Sequence, residues 1–211
     1  MKYASKKYGS DFIGWQDSDT WINVERLNFF LNSIFISKLN WERSYIGLGQ
    51  YIQSYNISSR FTWSGWIWTC KKNALYFTQG AITYFGKDVA KEIGNKEKLL
   101  VDMTRPMLIH YKKYSYRKCS LPSDIGIGLM VNQTTRPINV YEMSFGQMSP
   151  WPVYKRFYTK RAISVHFLGR KNINSSIDFY INKTRNVKMK NIEWKCNTCC
   201  MNTTWSCCKN K

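Results

Sequence analysis

Two runs of aromatic and β-branched residues follow one another between Phe61 and Phe85, and they constrain the fold more than any other feature. Phe61, Trp63, Ile67 and Trp68 stand in the first run, which ends at Cys70. Residues 73–85 form the second, with Gly80 marking a bulge. Rings and β-branched side chains suit a pleated surface, so both runs are expected to be strands. Further strands are expected over residues 161–168, 176–181 and 187–194, where apolar and polar residues alternate.

Helical spacing shows in two places. Asp17, Ser18, Asp19 and Thr20 offer N-caps, and Trp21, Val24, Leu27, Leu31, Ile34 and Phe35 then recur at helical intervals. Asn23, Arg26 and Ser33 fall on the opposite face, and core packing accounts for the stripe without any function. Residues 88–103 are also expected to be helical, broken at Gly94-Asn95 and limited by Pro106. Between 119 and 152, Pro122, Gly126, Gly128, Pro137, Gly146, Pro150 and Pro152 suggest a loop-rich connector. The expected class is α+β: an N-terminal helix, a largely antiparallel sheet and a small Cys-rich C-terminal module. Residues 1–194 would form a basic, aromatic-rich domain and residues 195–211 a Cys-rich tail.

The chain is 44% hydrophobic, enough for a packed core, and carries a net charge of +19. The charge is uneven. Residues 1–100 hold 13 Lys+Arg against 8 Asp+Glu, whereas residues 101–211 hold 19 against 5. Such an excess attracts polyanions, although ordinary surface charge for solubility would also supply some of it. There is no apolar stretch of the kind that signal peptides or membrane spans need. A cytoplasmic location with reduced thiols is therefore expected, with the nucleus and virions as further sites. Five N-x-S/T sequons, at Asn56, Asn132, Asn174, Asn182 and Asn202, keep an alternative open. In that alternative the chain is a fragment of a secreted or envelope glycoprotein whose cysteines form disulfides; seven cysteines would leave one over.

Two stretches mix cations with rings. The first holds Tyr111, Lys112, Lys113, Tyr114, Tyr116, Arg117 and Lys118; the second holds Tyr154, Lys155, Arg156, Phe157, Tyr158, Lys160 and Arg161. Cations neutralise phosphates and release counterions, and flat rings stack on unpaired bases, so single-stranded RNA is the expected partner. A half-buried strand with rings inside and lysines in water would produce the same pattern, and the two explanations are compatible.

The C-terminal cysteines suggest a zinc site. Cys196 and Cys199 have the C-x-x-C spacing, and Cys207 and Cys208 would complete a thiolate set, with Lys195 and Lys209 favouring the thiolate form. Disulfides or acylated cysteines are the competing explanations. His110 and Cys119 form an alternative metal pair, to which His166 or Cys70 would have to add ligands; a structural histidine on a strand explains His110 as well. There is no phosphate-binding glycine loop, no G-x-S-x-G and no close pair of carboxylates, so an enzyme is not expected.

Part of the chain resembles a known family. Trp63-Ser-Gly-Trp66-Ile-Trp68-Thr-Cys70, then Ala81-Ile82-Thr83-Tyr84-Phe85, and Leu108-Ile109-His110 with Cys119 after it are similar to segments of the lentiviral virion infectivity factor. The similarity covers about residues 60–120. It implies a viral accessory protein that counteracts host cytidine deaminases, binds RNA and host proteins, and holds zinc through a His-Cys-Cys-His set. The chain departs from the pattern. No cysteine lies between Cys119 and Cys196, and Pro122 follows Ser120-Leu121 where the family has a ligase-recruiting helix. A zinc-dependent nucleic-acid-binding or silencing-suppressor protein is a further alternative.

Overall fold

A computed structural model describes residues 1–36, 40–57, 60–67, 74–96, 107–111, 114–119, 123–143, 147–149, 162–166, 173–185, 194–199 and 209–210. Its architecture is α+β, built on a nine-stranded mixed sheet. The axis of that sheet is β3 (Ser44–Ile57), the longest strand. It pairs antiparallel with β5 (Ala74–Gly86) along one edge, and β5 in turn pairs with β1 (Phe12–Trp15). Along its other edge, β3 pairs first with β8 (Ile138–Met143), in parallel, and then with β4 (Arg60–Ile67), antiparallel. From β8 the sheet continues to β11 (Trp194–Cys199) and β12 (Lys209–Asn210). From β4 it continues to β6 (Met107–Tyr111) and β7 (Tyr114–Cys119). The two expected aromatic strands are thus β4 and β5. The boundary expected at 194/195 falls inside β11, whose residues all pair with β8.

Both faces of this sheet are covered at its centre, around β3, β5 and β8, which explains the apolar content of these strands. Tyr45, Phe85, Val140 and Ile138 face one layer with Val89, Ala90 and Ile93 of α3 (Lys87–Gly94) and Ile127, Met130 and Val131 of α4 (Ser123–Asn132). Met1 and Ala4, at the start of α1 (Lys2–Lys7), pack on the same cluster. Ile46, Ile82, Tyr141 and Met143 face the other layer with Leu27, Phe30 and Ile34 of α2 (Val24–Ile36). Neighbours such as Tyr45 and Ile46 thus serve opposite cores, as the two-residue period of a strand requires.

A second, three-stranded sheet joins β2 (Trp21–Ile22), β10 (Ser164–Val165) and β9 (Met148–Ser149). Its pairings are antiparallel for β2 with β10 and parallel for β10 with β9. Trp21 and Val165 pack with Tyr180 of α5 (Ile173–Thr184), the Trp21 and Tyr180 rings stacking at 5.4 Å. Among the described residues, no helix is long and apolar enough to cross a membrane.

Three local expectations need correction. The first long helix starts at Val24, not Trp21, because Asn23 supplies the cap: its Oδ1 accepts from the Arg26 N–H at 3.1 Å. The expected connector over 119–152 contains α4 and β8. Gly128 is there for close approach and not for a turn, since a Cβ on it would lie 2.5 Å from the Cβ of Phe77 in β5. The strand expected at 176–181 is the middle of α5. Ile177, Tyr180 and Thr184, at helical spacing, face inward, whereas Phe179 and Ile181 are 43% and 44% exposed, so the alternation there did not mark a buried face. The helix expected over 88–103 stops at Gly94 in α3, at the break expected there.

Candidate nucleic-acid interface

Residues 114–118 of the first basic-aromatic stretch lie in β7, which among the described residues is the last strand on one side of the large sheet. In β7, Tyr114 pairs with Tyr111, Arg117 with Ile109, Lys118 with Leu108 and Cys119 with Met107 of β6. Among the described residues β7 pairs with β6 alone. Lys112 and Lys113, between the two strands in sequence, lie outside the described residues. So does the whole second stretch, with Tyr154, Lys155, Arg156, Tyr158, Lys160 and Arg161.

His110 falls at a register shift between Ile109 and Tyr111, and Cys119 pairs with Met107, three positions away. At a strand rise of about 3.4 Å per residue, the two backbone positions are about 10 Å apart along the hairpin. They are not brought opposite one another. Cys196 and Cys199 lie in β11, opposite Tyr141 and Ile138 in an uninterrupted register. The chain between them therefore runs as strand and not as the tight turn expected of a C-x-x-C knuckle. Cys207 and Cys208 lie outside the described residues.

One cluster escaped the sequence analysis. Asp17 and Asp19 follow β1, and His166 follows β10. The His166 Nε2 lies 3.1 Å from Asp17 Oδ2 and 3.2 Å from Asp19 Oδ1. One ligand atom from each residue falls within 4.8 Å of the others. Burial raises the Asp17 pKa, the charge of Asp19 adds to that, and His166 opposes both. Two carboxylates and an imidazole suit a divalent cation such as zinc. They also suit an ion pair in which a protonated ring holds the two loops together. The D-S-D segment has the composition of a helix cap, so nothing local announced its pairing with a histidine almost 150 positions later.

No protein-family model matches the chain, and no curated protein matches it.

Proposed function

We propose that this protein works by binding nucleic acid, with single-stranded RNA as the preferred form, and that the β6–β7 hairpin is a principal contact. The observation that carries the proposal is the position of a cation- and tyrosine-rich segment on β7, among the described residues the last strand on one side of the large sheet. The charge of residues 101–211 supports it, because a one-sided cationic excess draws in a polyanion over a distance set by ionic strength. Cationic hairpins are surfaces that nucleic-acid backbones and unpaired bases can follow.

The test is fluorescence anisotropy with a labelled oligouridine across a salt series. Changing Lys112, Lys113, Arg117 and Lys118 together to Gln is expected to lower affinity. It should also make the dependence of log K on log salt shallower by up to about 3, at about 0.7 for each phosphate no longer neutralised. Unchanged affinity and slope would reject the hairpin as the binding surface.

The resemblance of residues 60–120 to the infectivity factor extends the proposal to a viral accessory role with host-protein partners, cytidine deaminases among them. Co-purification with a host deaminase from expressing cells tests that extension, and its absence would leave RNA binding alone. A zinc ion is the second element of the proposal, favoured by the Asp17, Asp19 and His166 donor set. Metal analysis of purified protein decides it. Loss of zinc in Asp17→Asn/Asp19→Asn assigns the ion to that cluster, and loss in Cys196→Ser/Cys199→Ser assigns it to the tail. Absence of zinc from the parent protein rejects both.

A further inference from the structure

The N-terminal helix presents a surface that neither the core nor the β6–β7 hairpin explains. α1 and the residue after it read Lys2-Tyr3-Ala4-Ser5-Lys6-Lys7-Tyr8, with three cations, two rings and no acid. Tyr3 and Tyr8 are 62% and 63% exposed, whereas Tyr45, Tyr76, Tyr141 and Tyr180 are buried. The two exposed rings meet edge to face, with centroids 6.0 Å apart. Lys7 Nζ stands 5.1 Å from the centroid of Tyr3 and 5.7 Å from that of Tyr8, and it donates to Tyr3 Oη at 2.6 Å. Rings and amines thus form one surface.

The helix is fixed in place. Met1 and Ala4 pack on the core cluster beneath α3. The backbone of Lys2 lies so close to Gly94 that a Cβ there would be 2.7 Å from Lys2 N and 2.8 Å from Lys2 Cα. The surface is therefore held before any partner arrives, which lowers the ordering cost of binding. A solvated helix face accounts for the lysines but not for two large rings left in water beside them. Grouped cations disfavour an apolar partner and attract an anionic one. Rings that stack and amines that neutralise are the two elements that hold an unpaired strand.

We propose that Tyr3 and Tyr8, with Lys6 and Lys7, form a second binding surface for single-stranded nucleic acid, the rings stacking on bases and the amines meeting the flanking phosphates. The inference rests on the nucleic-acid-binding reading above and adds a location to it. The experiment uses the full chain and the same labelled oligouridine. Tyr3→Ala/Tyr8→Ala is expected to weaken binding by about tenfold or more, the scale of losing one base stack, while leaving the salt slope as it was. Tyr3→Phe/Tyr8→Phe, which keeps the rings, should retain affinity within about twofold. Lys6→Gln/Lys7→Gln should instead make the slope shallower by about 1.4, at about 0.7 per phosphate.

If the parent protein binds no oligouridine at any salt, the nucleic-acid reading itself fails. If the parent binds and the hairpin variant weakens, but the alanine pair binds like the parent, this inference alone is overturned. Equal losses in the Ala and Phe pairs would also overturn it, because stacking needs only the ring. Binding of polyglutamate with the same tyrosine dependence, and no binding of oligouridine, would replace the partner with an acidic protein and overturn it as well.

Discussion

The two sheets of this molecule are stabilised in different ways. Around β3 and β5 the stabilisation is collective: Tyr45 and Phe85 face one apolar layer, Ile46 and Ile82 face another, and these four and Phe77 are all completely buried. Some of the polar groups enclosed there pair with one another, Tyr45 Oη accepting from the Thr78 N–H at 2.9 Å and Thr78 Oγ1 lying 2.6 Å from Thr83 Oγ1. Around β2, β9 and β10 the strands are two residues each: Met148 and Ile163 join the α2 layer of the large sheet, with Ile22 packed against it, while Trp21, Ala162, Val165 and Tyr180 form a small cluster of their own. Individual polar interactions add to this packing. Arg26, only 5% exposed, donates to the carbonyls of Ala162 and Thr184 at 3.0 Å each. His166 sits against Asp17 and Asp19. Long strands spread their stabilisation over many residues, whereas very short ones depend on a few side chains that reach across the chain.

The largest effect should come from the collective side. Phe77→Ala empties a fully buried site and is expected to cost about 3–5 kcal/mol, seen as a shifted midpoint in chemical denaturation with the whole domain unfolding together. Arg26→Met should cost about 1–3 kcal/mol, because it leaves two buried carbonyls without donors. That destabilisation should appear first as faster amide exchange in α5 and residues 162–166, with β3 and β5 still protected. Simultaneous loss of protection in both sheets would show that they do not differ as described.

Titration sharpens the contrast. Glu92 of α3 is pushed up by burial, but the Thr135 N–H and the ion pair with Arg43 at 2.7 Å outweigh that, and its pKa lies below the ordinary 4.5. The folded state therefore favours the carboxylate. Its contribution is present above the ordinary value and is lost as pH falls through the lower folded value. Glu92→Gln is expected to cost about 1–2 kcal/mol at neutral pH and to flatten the loss of stability on acidification. Asp17 has the opposite sign. Its pKa is raised from the ordinary 3.8, mainly by burial, so its contribution is fully present below that value and is lost as pH rises through the folded value. In the presence of a chelator, Asp17→Asn should remove a small acid-side gain in protection at residues 20–22, with β3 unaffected. A pH profile identical to that of the parent would contradict this assignment.

The parts of the fold legible in sequence were those governed by local pattern. The aromatic runs became β4 and β5, the helical stripe became α2, and Gly94-Asn95 ended α3. β3 was not legible, because its first half is buried on both faces, Tyr45 in one core and Ile46 and Leu48 in the other, so no apolar–polar alternation marks it. α4 was hidden by Gly126 and Gly128; the second of these serves close packing against β5. Charge and rings drew attention to residues 111–118 from composition alone. Their position in the sheet could not be read there, because it depends on β6 meeting β4 more than forty positions earlier in the chain. The same holds for Asp17, Asp19 and His166, which only the pairing of β2 with β10 brings near one another.

The most direct test is ultraviolet crosslinking of the full chain to oligouridine, with the attached peptides identified by mass spectrometry. Crosslinks concentrated in residues 107–119 and 1–10, and diminishing as salt is raised, are the predicted result. Crosslinks confined to α2 and α5, or none at any salt at which the protein is folded, would contradict the account.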